Sequence, residues 1–217
     1  MPVRADPAAR WADLRLRLAS ALVLAPLALA ALWRGGWAWQ ALVALATLGM
    51  LHEWWRMGGR VALPGALWSL VAAAALVWLR ADPSAGRGNV LFVIVLVWAT
   101  DIGAYLAGRL IGGPRLAPAI SPGKTWSGAV GGLLAAGVVG ILAGGLAAGG
   151  IAGLLSLVAQ AGDLAESAAK RRAGVKDSGH LIPGHGGLLD RLDGLLAAGP
   201  AAALLALIAG PGVALWQ

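Results

Sequence analysis

The 217-residue chain has no cysteine, which excludes disulfides, thiolate metal sites and cysteine nucleophiles together. Charge is scarce. Only 12% of residues are charged, where a soluble domain carries about 25%. Ten residues are acidic, and no charge of either sign occurs between Lys124 and Asp163. What replaces the missing charge is apolar: 59% of the chain is hydrophobic and the mean hydropathy is +0.77. A polytopic membrane protein follows from that balance. The net charge of +7 would suit a nucleic-acid partner, but the Lys and Arg residues are scattered between apolar runs and form no soluble basic face. No nucleic-acid partner is expected.

A bilayer core needs roughly 20 helical residues per crossing. Leu18–Trp33, Trp37–Leu51, Val61–Leu79 and Val90–Leu110 are four candidate spans, the last interrupted by Asp101 and Arg109. The charge-free run after Lys124 is long enough for two more, turning near Gly144–Gly153, and a last span runs from about Leu188 to Trp216. The expected fold is therefore all-α, a single polytopic membrane bundle over residues 1–217 with about seven transmembrane helices. Leu18–Trp33 follows a basic segment and has the look of a secretory signal, but the further spans favour an uncleaved first helix. With the N-terminus in the cytoplasm, only Arg34, Arg80 and Arg87 of the 17 basic residues fall on the far side, as the positive-inside rule requires. Gly128/Gly132, Gly140/Gly144 and Gly145/Gly149 have the small-xxx-small spacing of helix contacts and leave a homodimer open.

The exception to the scarcity of charge is the segment Ser167–Asp193, at the mouths of two expected helices on the cytoplasmic side. Ionisable groups near hydrocarbon are costly and mark functional paths or sites. Asp163 and Glu166 are i,i+3 on one helix, with Lys170 four residues on, so all three share a face. Asp190 and Asp193 repeat the spacing at the start of the next helix. Like charges so placed repel. Either a divalent cation relieves them, Mg²⁺ suiting a few carboxylates with water and phosphate oxygens, or Lys170, Arg171, Arg172 and Arg191 pair with them as interfacial salt bridges. Gly184, Gly186 and Gly187 between them permit close backbone approach, and their N–H groups are candidates for an anion nest helped by Lys176 and Arg191. His185 reads equally as phosphate donor, general acid or turn residue.

A second segment, AISPGKTWSG at 119–128, sits on the same side. Its Gly-Lys-Thr invites a P-loop reading, but the required earlier glycine is Pro118 and no buried strand precedes it. That reading fails. What remains is Ser121, Lys124 and Thr125 at a helix start, a favourable place for phosphate or an ordinary helix N-terminus. Asp101 is the remaining intramembrane acid, with Arg109 or a cation as candidate partner and Tyr105 one turn later. Glu53, beside His52, reads as a structural interfacial residue.

At these residues the chain resembles the phosphatidate cytidylyltransferase (CDP-diacylglycerol synthase) family. The family signature maps onto Ser167, Lys170-Arg171, Lys176-Asp177, Pro183-x-His185-Gly186-Gly187 and Asp190-Arg191-x-Asp193. Upstream, Gly162-Asp163-Leu164-x-Glu166-Ser167, the AISPGKTWSG segment and DIGAYLAGRLIG from Asp101 look like further family segments. Ala169 and Ser127 depart from it, the latter standing where the family commonly has Glu. The resemblance implies transfer of a cytidylyl group from CTP to phosphatidate, releasing pyrophosphate, in phospholipid synthesis at the cytoplasmic face of a bacterial inner membrane. It implies that residues 101–217 carry the chemistry behind N-terminal helices 1–100. Mg²⁺ at Asp163, Asp190 and Asp193 is implied, with a monovalent cation such as K⁺ beside it. Lys124, Lys170, Arg171, Lys176 and Arg191 would neutralise phosphates, with Ser121, Thr125, Asp177, His185, Gly186 and Gly187 at the substrates. No aromatic or amide constellation stands out for reading cytosine. A related CTP-dependent polyprenol-type kinase is the nearest alternative, and a transporter, suggested by Asp101 and broken helices, a more distant one.

Overall fold

The computed structural model describes residues 7–217, with side chains from 18 onward; Arg4, Arg10, Arg15 and Arg17, expected at the cytoplasmic side, fall outside this description. The chain forms helices α1 (Pro7–Arg34), α2 (Gly36–Met57), α3 (Gly59–Ala81) and α4 (Gly86–Leu110). A short hairpin of β1 (Arg115–Ala117) and β2 (Ser121–Thr125) follows, then α5 (Trp126–Arg172) and α6 (Leu189–Ala209). Among the described residues α3, α4, α5 and α6 are long and apolar enough to cross a bilayer, and Leu18–Arg34 of α1 is apolar but shorter. Large side chains such as Leu110, Leu142 and Leu146 are more than 80% exposed. An exposed apolar belt of this kind is paid for only where the surrounding medium is lipid. The protein is an integral membrane protein.

The 47-residue α5 is two rods. Gly144 and Gly145 leave helical geometry, Gly145 at φ +82°, and the chain doubles back. A residue with a side chain pays heavily at that angle, which is why a glycine stands at the break. Antiparallel return is evident in the contacts: a methyl at Gly140 would meet Ala148 and Ala152, and one at Gly149 would meet Ile141. The first rod also packs tightly on α4, where Gly131 and Gly132 approach the carbonyls of Gly103 and Thr100. The small-residue seams at Gly128, Gly132, Gly140 and Gly149 are therefore covered within the chain.

The hairpin is a difference from the expected loop. Pro114, Pro118 and Pro122 keep the segment from helix, and the antiparallel pairs Arg115↔Thr125 and Ala117↔Ser121 use its free backbone groups. Thr125 then caps α5, its Oγ1 accepting from Gly128 N at 3.1 Å.

Packing fixes two distinct ends. At one, Arg80 donates to Leu32 O at 2.7 Å and Arg87 lies over the Trp33 ring at 4.5 Å. Asp82 accepts from Ser84 N, Ser84 Oγ, Ala85 N and Gly212 N, which ties the start of α4 to the C-terminal tail. These bonds, led by that from Ala85, hold its carboxyl down at about 2. At the other end lie the hairpin, the last turn of α5 and the segment 173–188. The core between is built on Val90, Val93 and Leu96 of α4, Ala152 and Leu155 of α5, and Ala198 and Ala202 of α6.

Candidate active site

The residues singled out from sequence gather at that second end in two adjoining clusters. In the first, a cavity of about 430 Å³ opens between α4, the hairpin and α5. Its walls bring together Asp101, Tyr105, Arg109, Lys124, Thr125, Gln160 and Asp163 from three separated segments. The small residues Gly108, Gly128 and Ala129 on the facing helices leave the room. Lys124, reaching inward from β2, pairs with Asp163. Asp101 takes no ion pair with Arg109 among the described residues, although both face the cavity. Ser121 begins β2, and Ser127 bonds to Gly112 O, fastening the approach to the hairpin.

The second cluster joins α5 to α6. Lys170 Nζ lies 2.7 Å from Glu166 Oε2 and 2.5 Å from Asp190 Oδ1, all three buried or nearly so. Asp190 Oδ2 accepts from Ser178 N at 3.1 Å, Ser178 Oγ at 3.1 Å and Gly187 N at 3.2 Å. Asp193 lies within electrostatic reach of Asp163, Glu166 and Asp101, so it links the two clusters. Among the described residues no three carboxylate or imidazole groups form a ready-made metal cage. Asp163 and Asp190 are instead turned to lysines, Asp190 in a nearly buried pair with Lys170 and Asp163 in a part-exposed pair with Lys124 beside the cavity. The shared face expected for Asp163, Glu166 and Lys170 thus serves two partners, the hairpin and α6.

The turn at 182–188 differs from the open anion nest expected of it. His185 N and Gly186 N both donate to Ile182 O, and Gly187 N to Asp190, so these amides are spent inside the protein. Gly187 is glycine for want of space: a methyl there would come within 1.8 Å of Ser178 Oγ and 2.8 Å of Asp190 Oδ2. His185 Nδ1 lies 2.9 Å from Ser20 Oγ on α1, while its carbonyl accepts from Arg191 Nε and Nη2 at 3.0 and 2.7 Å. Arg171 bonds to Ile120 O in the hairpin turn and to Val175 O. Lys176 and Asp177 are exposed and joined to neither acid cluster.

Two residues were passed over or undervalued in the sequence. Ser178 directly follows the Lys176-Asp177 pair of the signature, and that adjacency was the available signal. Glu53 is the single acid between Asp13 and Asp82, and a solitary carboxylate in so apolar a stretch is itself a signal. Its structural role is larger than its place in the sequence suggested: it is fully buried against the start of α6.

A second hollow, an apolar groove of about 220 Å³, runs between α1, α2, α3, α4 and α6. Ala28, Ala46, Ala73 and Leu195 line it, and Asp101 and Arg191 stand at its polar end. Among the described residues, Asp101 is the one on the walls of both hollows.

The profile of the cytidylyltransferase family matches residues 61–209, a span that holds both clusters. The chain belongs to that family. A phosphatidate cytidylyltransferase of Brucella suis biovar 1 is 44% identical over 187 residues, 75% of this chain and 69% of that protein. One from Rickettsia felis is 34% identical over 206 residues, covering 87% of this chain and 90% of its own. A phosphatidate cytidylyltransferase of Pseudomonas aeruginosa is 46% identical over 169 residues, 74% of this chain and 60% of its own. Glu53 on α2 lies outside the family match, although it touches the loop that carries the family's residues.

Proposed function

We propose that this protein is a nucleotidyltransferase that moves the cytidylyl group of CTP onto phosphatidate, giving CDP-diacylglycerol and pyrophosphate. The observation that carries the reading is the polar cavity of Lys124, Thr125, Asp101 and Asp163, which meets an apolar groove at Asp101 inside a membrane bundle. A soluble polyanion suits the first hollow. A lipid tail suits the second, with Arg191 at its polar end for the phosphate. The names borne by the relatives, from Brucella to Rickettsia, point to the same pair of substrates.

In this reaction a phosphate oxygen of phosphatidate attacks the α-phosphorus of CTP, and the bond to the departing pyrophosphate breaks. Such transfer depends on positioning and charge neutralisation more than on a protein nucleophile. Lys124 exchanges Asp163 for the triphosphate, and Arg109 faces the same space. Lys170 holds Asp190, Arg171 fixes the hairpin, and Lys176 and Arg191 meet the incoming phosphates at the rim.

The donor chemistry fits Mg²⁺: the acids offer only oxygen, and Glu166 Oε1 is buried without a hydrogen-bond donor. Asp163, Asp190 and Asp193 would hold the ion, the first two after release from their lysines, with a monovalent cation such as K⁺ as a further guest. When bound, Mg²⁺ supplies neutralisation of phosphate-oxygen charge.

The proposal extends to topology: seven crossings, the N-terminus and the site both on the cytoplasmic side of a bacterial inner membrane. The gathering of Arg34, Arg80 and Arg87 at the end away from the site supports it, because positive charge is thinned on the far side. Residues 101–217 then carry the chemistry behind the N-terminal helices of 1–100. A homodimer would use faces other than the glycine seams already covered.

Label partition tests the reaction. CTP labelled at the α-phosphorus should pass its label to the lipid fraction and CTP labelled at the γ-phosphorus should release it as pyrophosphate. Transfer of γ-label to a lipid would identify a kinase and end the proposal.

A further inference from the structure

We infer that Glu53, on α2, is a positioning residue that sets Asp190 for the transfer reaction by clamping the loop between α5 and α6. The inference rests on the function proposed above, and its structural half stands apart from it. The Glu53 side chain is 0% exposed, and no lysine or arginine among the described residues pairs with it. An unpaired buried carboxylate is costly unless donors surround it. Here they do. Oε1 accepts from Leu188 N at 2.8 Å, and Oε2 accepts from Leu189 N at 2.8 Å and from Ser178 Oγ at 2.9 Å. Two of these donors are free N–H groups at the start of α6, where the helix dipole also favours a negative charge.

The third donor makes the contact more than a helix cap. Ser178 Oγ has one proton and lies within reach of two carboxylates, Glu53 Oε2 at 2.9 Å and Asp190 Oδ2 at 3.1 Å. Ser178 N also donates to Asp190 Oδ2, so the position of Ser178 fixes that of the Asp190 oxygen. The loop is shaped to admit this arrangement. A methyl at Gly179 would lie 2.7 Å from Glu53 Oε1, and one at Gly187 would strike Ser178 Oγ. Glu53 therefore reaches from one half of the chain, across 125 residues, to hold the serine that holds the aspartate. Asp190 in turn orients Lys170, and through it Glu166.

Glu53→Gln tests the clamp with little change of volume. The amide puts an NH₂ donor where only acceptors fit, so at least one of the three bonds is lost. Two readouts are taken on detergent-purified, monodisperse protein. Amide hydrogen exchange at Leu188 and Leu189 should accelerate at least tenfold while exchange in α4 is unchanged. With CTP and phosphatidate, kcat per folded molecule should fall about tenfold or more while both KM values stay within about twofold. A simple loss of stability would lower the yield of folded protein and leave kcat per folded molecule as it was; that result overturns the inference, as does unchanged exchange at Leu188 and Leu189. If wild-type protein itself forms no CDP-diacylglycerol, the function falls, the positioning role falls with it, and the exchange data judge the contact alone. Should Glu53→Gln not fold, Ser178→Ala removes the hydroxyl between the two carboxylates and must lower kcat in the same way. Wild-type kcat in Ser178→Ala refutes the link.

Discussion

Two lysines of the site make similar ion pairs at different depths, and replacing each by methionine should separate stability from turnover. Lys170 is 10% exposed at its side chain, and its partners Glu166 and Asp190 are 0% and 11% exposed. Lys170→Met strands both acids. Removing one partner of a buried pair costs about 3–5 kcal/mol. Asp190 keeps its donors from Ser178 and Gly187, so most of the loss falls on Glu166, whose Oε1 already lacks one. At 2–4 °C per kcal/mol for a chain of this size, the unfolding midpoint drops by roughly 6–20 °C. Lys124 and Asp163 are 27% and 29% exposed beside an open cavity, a setting in which a pair contributes about 1 kcal/mol or less. Lys124→Met should therefore shift the midpoint by no more than about 4 °C. Its effect is on the reaction: a lost hydrogen bond between charged groups is worth about 1.5–3 kcal/mol, or roughly 10- to 150-fold in kcat/KM. Thermal unfolding followed by intrinsic tryptophan fluorescence in detergent, with activity measured on the folded fraction, gives both quantities. Equal loss of stability in the two variants, or an unaltered kcat/KM in Lys124→Met, would refute the reasoning.

Gly187→Ala should force the loop off Ser178 and Asp190, costing about 1–3 kcal/mol of stability by overpacking and lowering kcat more than tenfold; unfolding and turnover assays check both. Ala73→Phe, which narrows the apolar groove, should raise KM for long-chain phosphatidate severalfold while leaving KM for CTP unchanged; equal effects on a short-chain lipid would remove the groove from the binding path. Asp82 has its folded pKa depressed to about 2, so its contribution to stability is complete above an unfolded value of about 3.9 and is lost as pH falls through 2. Exchange at Gly212 N should thus stay slow at pH 4 in wild type and be fast in Asp82→Asn.

The architecture was legible where composition alone decides it. A charge-free run from Lys124 to Asp163 has nowhere to go but through the bilayer twice, and Gly144-Gly145 marks the reversal. That Lys124 and the Asp163 helix end share the cytoplasmic side was legible from the charge pattern, whereas Asp101 read only as a separate intramembrane acid. Their common cavity was not legible, because it depends on the α4–α5 approach set by Gly103, Gly131 and Gly132. The hairpin escaped notice because strands of three and five residues broken by prolines show no period. The glycine-rich loop suggested a cradle for an external anion, and a carboxylate of the protein's own, Asp190, took that place. Glu53 could not be read as a clamp, since nothing local relates it to amides 135 residues away.

The account stands on the nucleotide lying in the cavity between α4, the hairpin and α5. A structure determined with CTP and Mg²⁺ should show the triphosphate against Lys124, with Lys124 withdrawn from Asp163 and an ion on the aspartates. Nucleotide bound elsewhere, with the Lys124–Asp163 pair intact, would contradict it.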